Sequence, residues 1–348
     1  MNGEQMKAVV LTGIRQMEIV DIPKPEIKND SDVLVKLAIV GVCGSDVHYY
    51  ETGRIGSQVV TYPYFVGHEC SATVAAVGKA VRHLKVGQPV AVEPAMACHN
   101  CDQCKAGREN TCRRMRFLGT PPQPGCLCEY IVMPEDCIYP THDRITLEQA
   151  AVCEPFSIGV YSAQQACLPK NADIAILGAG PIGLSVLLAA KAHGARNIYV
   201  TEKIKERLEI AKCAGAVWAG NPDREDIVST INEKVPLGVD AYFECAGQQE
   251  TIDQGLEMLK PGGKAVIVGI PRSDRVSFSI DKLRRKEIAV VNIRRQNRCM
   301  QAAIDLVASK KVNLDFMITH RFKFERTKEA FDLVAEYRDG VIKALIEF

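Results

Sequence analysis

The stretch that decides the fold is residues 173–195, which read DIAILGAGPIGLSVLLAAKAHGA. An apolar, strand-like run leads into Gly178, Gly180 and Gly183, and a helical pattern over 182–193 overlaps the end of this turn. In such a turn the first glycine permits the tight bend, the second lets the backbone approach a pyrophosphate, and the third allows close packing of helix on strand. The free N–H groups at the start of the helix would face the anion. The stretch therefore predicts a strand–turn–helix site for a dinucleotide.

The carboxylate at the end of the next predicted strand indicates which dinucleotide binds. Glu202 lies in IYVTEK, 22 residues after Gly180, where it can accept hydrogen bonds from the adenosine ribose. A carboxylate in this place repels a 2′-phosphate, which favours NAD over NADP. Lys203 and Arg207 lie nearby and could weaken this exclusion, so NADP is the alternative.

From residue 173 onward the sequence alternates between strand-like and helical patterns. The runs IYVTE, DAYFE and KAVIVG are largely apolar, and a second helix is predicted over 203–214. This alternation is typical of a doubly wound parallel sheet. Before about residue 150, short β-rich runs such as KAVVL and VLVKLAIV are separated by Pro, Gly and Asp turns. That half is predicted to be mostly antiparallel β-structure.

The chain ends with helical patterns near residues 298–310 and 327–338 and with a strand-like run, IKALIEF. We assign these elements to the first half. The resulting α/β fold has two predicted domains, one formed by residues 1–155 and 292–348 and the other by residues 156–291. A chain of 348 residues is long enough to bury two hydrophobic cores.

Composition favours a small-molecule substrate. Lys and Arg number 43 and Asp and Glu number 42, so the net charge of +1 provides no field that would attract nucleic acid or an anionic membrane. No apolar run reaches the roughly 18 residues of a membrane span, and the first residues, MNGEQMKAVVL, lack the pattern of a secretion signal. We therefore expect a cytoplasmic protein without nucleic-acid or membrane partners.

The 14 cysteines are unevenly distributed, and ten of them lie between Cys43 and Cys153. In a long chain without a secretion signal, such thiols are more often reduced or metal-bound than paired in disulfides. Four of them form the spacing C-x2-C-x2-C-x7-C in a polar loop: Cys98, Cys101, Cys104 and Cys112. Four thiolates suit a tetrahedral zinc ion and leave no ligand position open, so this lobe predicts a structural zinc site.

A second set of candidate ligands is dispersed along the chain. Cys43 lies in GVCGSDVHYY, His68 and Glu69 lie in VGHEC, and Glu154 lies in CEPFSIG. Each residue alone is more often structural, because buried cysteines usually pack and lone histidines and glutamates usually have ordinary polar roles. Together they offer the thiolate, imidazole and carboxylate donors that suit a catalytic zinc ion with one open position.

The order of the motifs resembles that of one known family. GVCGSDVHYYETGRIG, GHE, the four-cysteine lobe, FLGTPP, CEPFSIG and GAGPIG follow one another as in zinc-containing medium-chain dehydrogenases, and the likeness is closest to the sorbitol (polyol) dehydrogenases. It spans almost the whole chain. It implies a GroES-like, mostly antiparallel β catalytic domain that carries the zinc lobe, and a Rossmann domain that binds NAD. It also implies a homo-oligomer, either a tetramer or a dimer.

The resemblance implies roles for individual residues. Cys43 and His68 match residues that bind the catalytic zinc ion directly. Glu69 and Glu154 are alternatives for the carboxylate ligand, and either could instead act through a zinc-bound water. Either glutamate could thus take part in catalysis.

Further positions match the relay, the substrate pocket and the cofactor site of the family. Ser45 and His48 resemble a hydroxyl-to-histidine relay for the proton, and helix capping by Ser45 or Asp46 is the alternative. The substrate pocket is matched by Tyr49, Phe117, Thr120 and Arg294. Cofactor contacts are matched by Gly178, Gly180, Pro181, Ile182, Gly183, Glu202, Arg207, Val268, Gly269, Ile270 and Ile293.

Two positions depart from the family pattern. Ala72 replaces the second glycine of GHExxG, which should require only a slightly wider backbone contact. Arg295, in VNIRRQN, stands where sorbitol dehydrogenases usually carry a tyrosine beside the substrate. A second guanidinium next to Arg294 would bind a carboxylate or phosphate through paired N–H donors. A sugar acid therefore becomes a candidate substrate, unless Arg295 turns outward and pairs with an acidic residue.

The expected activity is zinc-dependent, NAD-linked oxidation of a secondary alcohol of a polyol, such as sorbitol or xylitol, to a ketose. The same chemistry on an aldonate such as galactonate, or on a polyol phosphate, is the first alternative. Threonine and simple alcohol dehydrogenases follow, because the polyol-type motifs fit them less well. A non-catalytic zinc and nucleotide-binding protein is disfavoured, since Cys43, His68 and the relay residues are all retained.

Overall fold

The computed structural model describes residues 4–271, 273 and 275–348. The chain divides into two compact units, one formed by Met1–Glu154 with Ile304–Phe348 and the other by Pro155–Ala303. Residues 1–3, 272 and 274, which the predicted domains include, lie outside the described residues. In the described part of the chain, none of the helices combines the length and the apolar character that crossing a bilayer requires.

The first unit consists mainly of short strands. They are β1 (Gln5–Gly13), β2 (Gln16–Pro23), β3 (Asp32–Gly41), β4 (Arg54–Ile55), β5 (Gln58–Val59), β6 (Glu69–Val77), β7 (Pro89–Val92), β8 (Ala95–Met96), β9 (Arg116–Phe117), β10 (Tyr130–Pro134) and β11 (Ile138–Pro140). The first three helices of the chain are α1 (Gly44–Thr52), α2 (Asp102–Lys105) and α3 (Leu147–Ala166).

The second unit alternates strands and helices. Its strands are β12 (Asp173–Leu177), β13 (Asn197–Thr201), β14 (Trp218–Gly220), β15 (Val239–Glu244), β16 (Leu259–Ile267) and β17 (Ala289–Asn292). Its helices are α4 (Pro181–Ala192), α5 (Lys205–Ala214), α6 (Ile227–Lys234), α7 (Gln249–Met258) and α8 (Ile280–Lys286). The chain then continues through α9 (Met300–Ala308), β18 (Ile318–Lys323), α10 (Thr327–Ala335) and β19 (Lys343–Glu347).

A seven-stranded sheet forms the centre of the first unit. Its strand order is β11-β7-β6-β3-β19-β18, and β10 also pairs with β3. Every pairing is antiparallel except that of β18 with β19, which confirms the mostly antiparallel β prediction. Gly41, at the end of β3, pairs with Glu69 on one side and with Leu345 on the other. The strands β3, β6 and β19, which are distant in sequence, therefore meet at Gly41, two residues before Cys43.

The six strands of the second unit form one parallel sheet, in the order β14-β13-β12-β15-β16-β17. The central strands are buried along nearly their whole length, as expected for a sheet covered on both faces. The doubly wound prediction is confirmed. The strand order reverses between β12 and β15, and such a switch point is where ligands bind in this class of fold.

The sequence patterns missed one long helix. The 20-residue helix α3 carries the CEPFSIG motif and has Pro155 in its interior. Its largely apolar residues are buried in succession, so they show no helical periodicity that could have predicted it. The helices predicted over 182–193 and 203–214 are present as α4 and α5.

Tyr50 joins α1 to α10 within the first unit. Its hydroxyl donates to Asp332 Oδ1 at 2.6 Å, and its buried ring meets the ring of Phe331 edge-on, with 5.5 Å between centroids. We expect Tyr50→Phe to lower the free energy of unfolding by about 1–2 kcal/mol, because a charged acceptor loses its partly buried donor. Denaturant unfolding of the two proteins measures this difference.

Lys328 provides the control, since its Nζ pairs with the other oxygen of Asp332 at 2.7 Å but is half exposed. Lys328→Met should lower stability by less than about 1 kcal/mol. If both substitutions lowered the free energy of unfolding equally, the Tyr50 hydroxyl would contribute no more to stability than an exposed ion pair does.

Candidate active site and metal centres

Cys43, His68 and Glu69 form one compact group in the first unit. Cys43 lies between β3 and α1, His68 directly precedes β6, and Glu69 begins β6. The three ligand atoms lie within 4.8 Å of one another. His68 and Glu69 are buried, and Cys43 is only half-buried. A thiol, an imidazole and a carboxylate at this spacing are donors that zinc accepts.

Asp46 supports His68 from α1. Its Oδ1 lies 3.2 Å from His68 Nδ1 and accepts a hydrogen bond from Gly67 N at 3.1 Å. Within the described residues, His68 Nδ1 and Asp46 Oδ2 are buried without a well-aligned hydrogen-bond partner. Burial opposes a charge on His68, but the nearby Asp46 and Cys43 raise the pKa of its imidazole well above the usual range. The site thus favours positive charge, which suits a metal dication.

Lys343 forms an ion pair with Glu69 from β19, the strand on the other side of β3. Its Nζ donates to the two carboxylate oxygens of Glu69 at 2.7 and 2.6 Å and to Val42 O at 3.2 Å. The side chains of Lys343 and Glu69 are only 1% and 2% exposed. Burial opposes the charge of Lys343, but Glu69 and Cys43 raise the pKa of this ammonium group. Glu69 is therefore held in a close, buried ion pair beside Cys43 and His68.

Glu154 lies on α3 and is also buried, at 4% exposure. Burial is the main reason why its pKa rises to about 8; His68 opposes the shift, and Glu69 adds to it. Glu154 thus belongs to the same electrostatic environment, although its oxygens are not part of the compact three-residue group. Of the two candidate carboxylates, Glu69 has the ligand-like placement and Glu154 favours the protonated form.

The four-cysteine lobe brings together the sulfurs of Cys98, Cys101, Cys104 and Cys112, all within 4.8 Å of one another. The sulfur of Cys104 lies 3.5 Å from that of Cys101 and 4.0 Å from that of Cys98. Zinc–sulfur bonds of about 2.3 Å in a tetrahedron place the sulfurs about 3.8 Å apart. Backbone N–H groups lower the pKa of Cys98, whereas burial raises that of Cys104. The geometry fits a zinc ion, which would stabilise the crowded thiolates.

The relay and pocket candidates of the first unit lie close to the three-residue group. Ser45 donates to the sulfur of Cys43 at 3.2 Å, and His48 is one turn further along α1, so both project from one helix face. The ring of Phe117 lies 5.3 Å from that of His68. Thr120 follows Phe117 in the same turn and donates its N–H to Phe117 O at 3.1 Å.

Tyr49 is buried, and its hydroxyl lies 3.4 Å from Gln58 Oε1. Arg294 and Arg295 belong to the second unit, in which they follow β17. Arg295 is half-buried and has a φ of 55°, a left-handed conformation that is uncommon for residues other than glycine. Such backbone conformations are concentrated at functional sites.

The glycine-rich turn has the geometry that the sequence predicts. Gly178 has a φ of 104° and connects β12 to α4. A Cβ on Gly183 would lie 1.9 Å from Gly178 O, so no other residue fits there. A Cβ on Gly180 would contact only the end of the Arg207 side chain, at 3.6 Å. Pro181 is the first residue of α4, and the helix N-terminus lies open to an anion.

Glu202 is fixed at the end of β13 by backbone donors. It accepts hydrogen bonds from Ala179 N at 2.9 Å, Lys203 N at 2.7 Å and Ile204 N at 3.1 Å. Lys203 Nζ pairs with Asp223 at 2.8 Å instead of with Glu202. The remaining cofactor candidates lie on α4 or directly after β16 and β17: Ile182, Val268, Gly269, Ile270 and Ile293.

Sequence reasoning considered Asp46 only as a helix cap and gave no role to Lys343. The approach of Asp46 to His68 depends on packing of α1 beside β6. Lys343 is a lone lysine in the apolar run VIKALI. A buried lysine needs a partner, and this is the signal that could have identified it.

Comparison with known proteins identifies the class. The family model described as alcohol dehydrogenase GroES-like domain matches residues 29–143, and the model described as zinc-binding dehydrogenase matches residues 181–309. Sorbitol dehydrogenase of Bacillus subtilis is 38% identical over 99% of this chain and 97% of its own length. L-idonate 5-dehydrogenase of Vitis vinifera is 34% identical over 96% and 93%. The solved structure of galactitol-1-phosphate dehydrogenase from Escherichia coli is 27% identical, with a TM-score of 0.90 over 99% of this chain and 100% of that one.

The fold and the matched models define an oxidoreductase with a GroES-like domain and a Rossmann-type nucleotide-binding domain. The chain belongs to the zinc-binding alcohol dehydrogenase family and is similar to its polyol dehydrogenases. The predicted family and fold class are thereby confirmed.

Proposed function

We propose that this chain oxidises a secondary alcohol of a polyol to a ketose with zinc and NAD. The observation that carries the proposal is the compact group of Cys43, His68 and Glu69. The identity of 38% with a sorbitol dehydrogenase over nearly the whole chain supports a polyol substrate.

In this proposal Cys43, His68 and Glu69 hold the catalytic zinc ion, and Glu154 is the alternative carboxylate. The four cysteines of the lobe hold the structural zinc ion. When bound, zinc would supply a Lewis acid that lowers the pKa of a substrate hydroxyl, and NAD would supply the hydride acceptor. Asp46 orients the His68 ring, as is usual for carboxylates behind metal-binding histidines.

The residues of α1 provide a path for the proton. Ser45 lies at the Cys43 sulfur, so its hydroxyl can pass a proton from the substrate to the half-buried His48 one turn away. Phe117 packs beside His68 and, with Tyr49 and Thr120, would shape the substrate pocket. Such apolar walls exclude water from the reacting group.

The preference for NAD rests on Glu202. Its carboxylate is held in place by three backbone N–H groups, so it cannot easily turn away from a 2′-phosphate. Lys203, which could have favoured NADP, is paired with Asp223. Arg207 is 7% exposed and lies beside Gly180, a place that suits the pyrophosphate shared by both cofactors.

The second candidate substrate is a sugar acid or a polyol phosphate. It is favoured by the left-handed, half-buried Arg295 next to Arg294. The names of two similar proteins, L-idonate 5-dehydrogenase and galactitol-1-phosphate dehydrogenase, point to such substrates for those proteins.

Kinetics of NAD reduction over sorbitol, xylitol, galactitol, galactonate, gluconate and threonine test both candidates. If Arg295 binds an anion, Arg295→Tyr should lower kcat/KM for acids selectively, by about 1.5–3 kcal/mol of transition-state stabilisation. Arg321→Tyr, an exposed substitution in the first unit, is the control. Equal losses on neutral and acidic substrates would contradict the anion role. No turnover of any substrate by zinc-loaded protein would favour a binding protein instead.

Two expectations from the sequence remain predictions: a homo-oligomer, either tetramer or dimer, and a cytoplasmic location. Light scattering of the purified protein tests the first.

A further inference from the structure

Glu244 is a buried carboxylate for which neither the metal chemistry nor the glycine-rich turn provides a role. It is the last residue of β15 and is 1% exposed. In the sheet it lies between Leu177 of β12 and Ile267 of β16. Glu244 therefore occupies the carboxyl edge of the sheet at the point where the strand order reverses, where ligands bind in such folds.

One oxygen of Glu244 holds the turn that follows β15. Its Oε1 accepts hydrogen bonds from Ala246 N at 2.9 Å, Gly247 N at 2.7 Å and Gln248 N at 3.4 Å, and from Thr251 Oγ1 at 2.8 Å. These N–H groups belong to the three residues before α7, and Gln248, its N-cap residue, provides no side-chain cap for that helix. The carboxylate thus takes the donors that a phosphate would otherwise attract.

The turn held by Glu244 is packed tightly against both neighbouring segments. A Cβ on Gly178, in the glycine-rich turn, would lie 3.1 Å from Ala246 N. A Cβ on Gly247, whose φ is 69°, would lie 2.6 Å from Ile270 O. A Cβ on Gly269 would lie 2.6 Å from Glu244 Oε2. A shift of this turn would therefore displace the segments on both sides of the switch point.

We propose that Glu244 is a positioning residue of the dinucleotide site: it holds the turn 245–248 so that the crevice beside Gly178 fits the cofactor. The inference rests on the proposed NAD-dependent function and adds to it a residue that need not touch the cofactor.

Substitution of Glu244 and of its partner tests the proposal in the full-length, zinc-loaded enzyme. Glu244→Gln keeps the shape but removes the charge that strengthens four hydrogen bonds to one oxygen. The Kd for NADH, measured by fluorescence titration, should rise about tenfold, and the KM for NAD should rise in parallel. The kcat at saturating NAD should stay within about twofold.

Two further variants separate positioning from general stability. Thr251→Val removes one of the four donors to the same oxygen, together with the contact of that hydroxyl with Gln248 O, and should raise the Kd for NADH about threefold. This variant decides the matter if Glu244→Gln fails to fold. Glu233→Gln, on the exposed side of α6, should leave the Kd unchanged. An NADH Kd within about twofold of the wild type in both Glu244→Gln and Thr251→Val, whatever their melting temperatures, would overturn the proposal. Turnover of polyols by the unmodified enzyme tests the proposed function separately, because the comparison of Kd values does not depend on it.

Discussion

Cys43→Ala should lower kcat/KM for the best substrate by at least about 10³-fold, which corresponds to about 4 kcal/mol of lost transition-state stabilisation. The substitution removes the only sulfur donor of the compact three-residue group. It also removes the atom to which the Ser45 hydroxyl donates. A zinc ion left with an imidazole and a carboxylate already paired to Lys343 would be weakly held.

Metal analysis separates this explanation from general damage. The variant should contain one zinc ion per chain where the wild type contains two, because the four-cysteine lobe is unchanged. Cys213→Ala, which replaces an exposed cysteine on α5, is the matched control and should retain both metal and activity. A Cys43→Ala protein that keeps two zinc ions and turns over normally would refute the assignment of the catalytic site.

The features that sequence could predict are those in which the decisive residues are neighbours in the chain. The glycine-rich turn and the four-cysteine lobe each lie within a short segment, so spacing alone specifies their geometry. The parallel sheet follows from local alternation of apolar strands and helices. The grouping of Cys43 with His68 could be anticipated only through the family resemblance, because it depends on the register of β3 against β6.

Other parts of the site depend on packing that no local pattern records. Asp46 approaches His68 because α1 packs beside the start of β6, and Lys343 reaches Glu69 because β19 lies on the other side of β3. The role of Glu244 depends on strand order, since only the sheet places it between β12 and β16. In each case a charged side chain is buried at a place that only the packing of the elements or the strand order defines, and neither can be read from the sequence.

The proposed metal site concentrates negative charge in a buried place. Glu69, Glu154 and Asp46 are each at most 4% exposed, and the Cys43 thiol lies among them. Lys343 is the one buried lysine among the described residues. Its Nζ forms an ion pair with Glu69 and also donates to Val42 O. Glu69 thus has a buried cationic partner, whereas burial raises the pKa of Glu154 to about 8. Because Glu69 has a lysine partner and Glu154 has a raised pKa, the two glutamates would have different roles at the metal site.

Lys343→Met should therefore lower the free energy of unfolding by about 3–5 kcal/mol, because it leaves the Glu69 carboxylate buried without its partner. Denaturant unfolding of the metal-free protein measures the loss, because no zinc ion can then take the place of Lys343 beside Glu69. Lys323→Met on the adjacent strand β18 is the control, since Lys323 pairs with Glu347 but is 73% exposed, and it should lower stability by less than about 1 kcal/mol.

The double variant Glu69→Gln with Lys343→Met distinguishes an uncompensated charge from lost packing. Removing the charge together with its partner should restore most of the stability that Lys343→Met loses, because the larger part of the penalty comes from the unpaired carboxylate. A double variant as unstable as Lys343→Met alone would mean that the lysine stem, not its charge, supports β19.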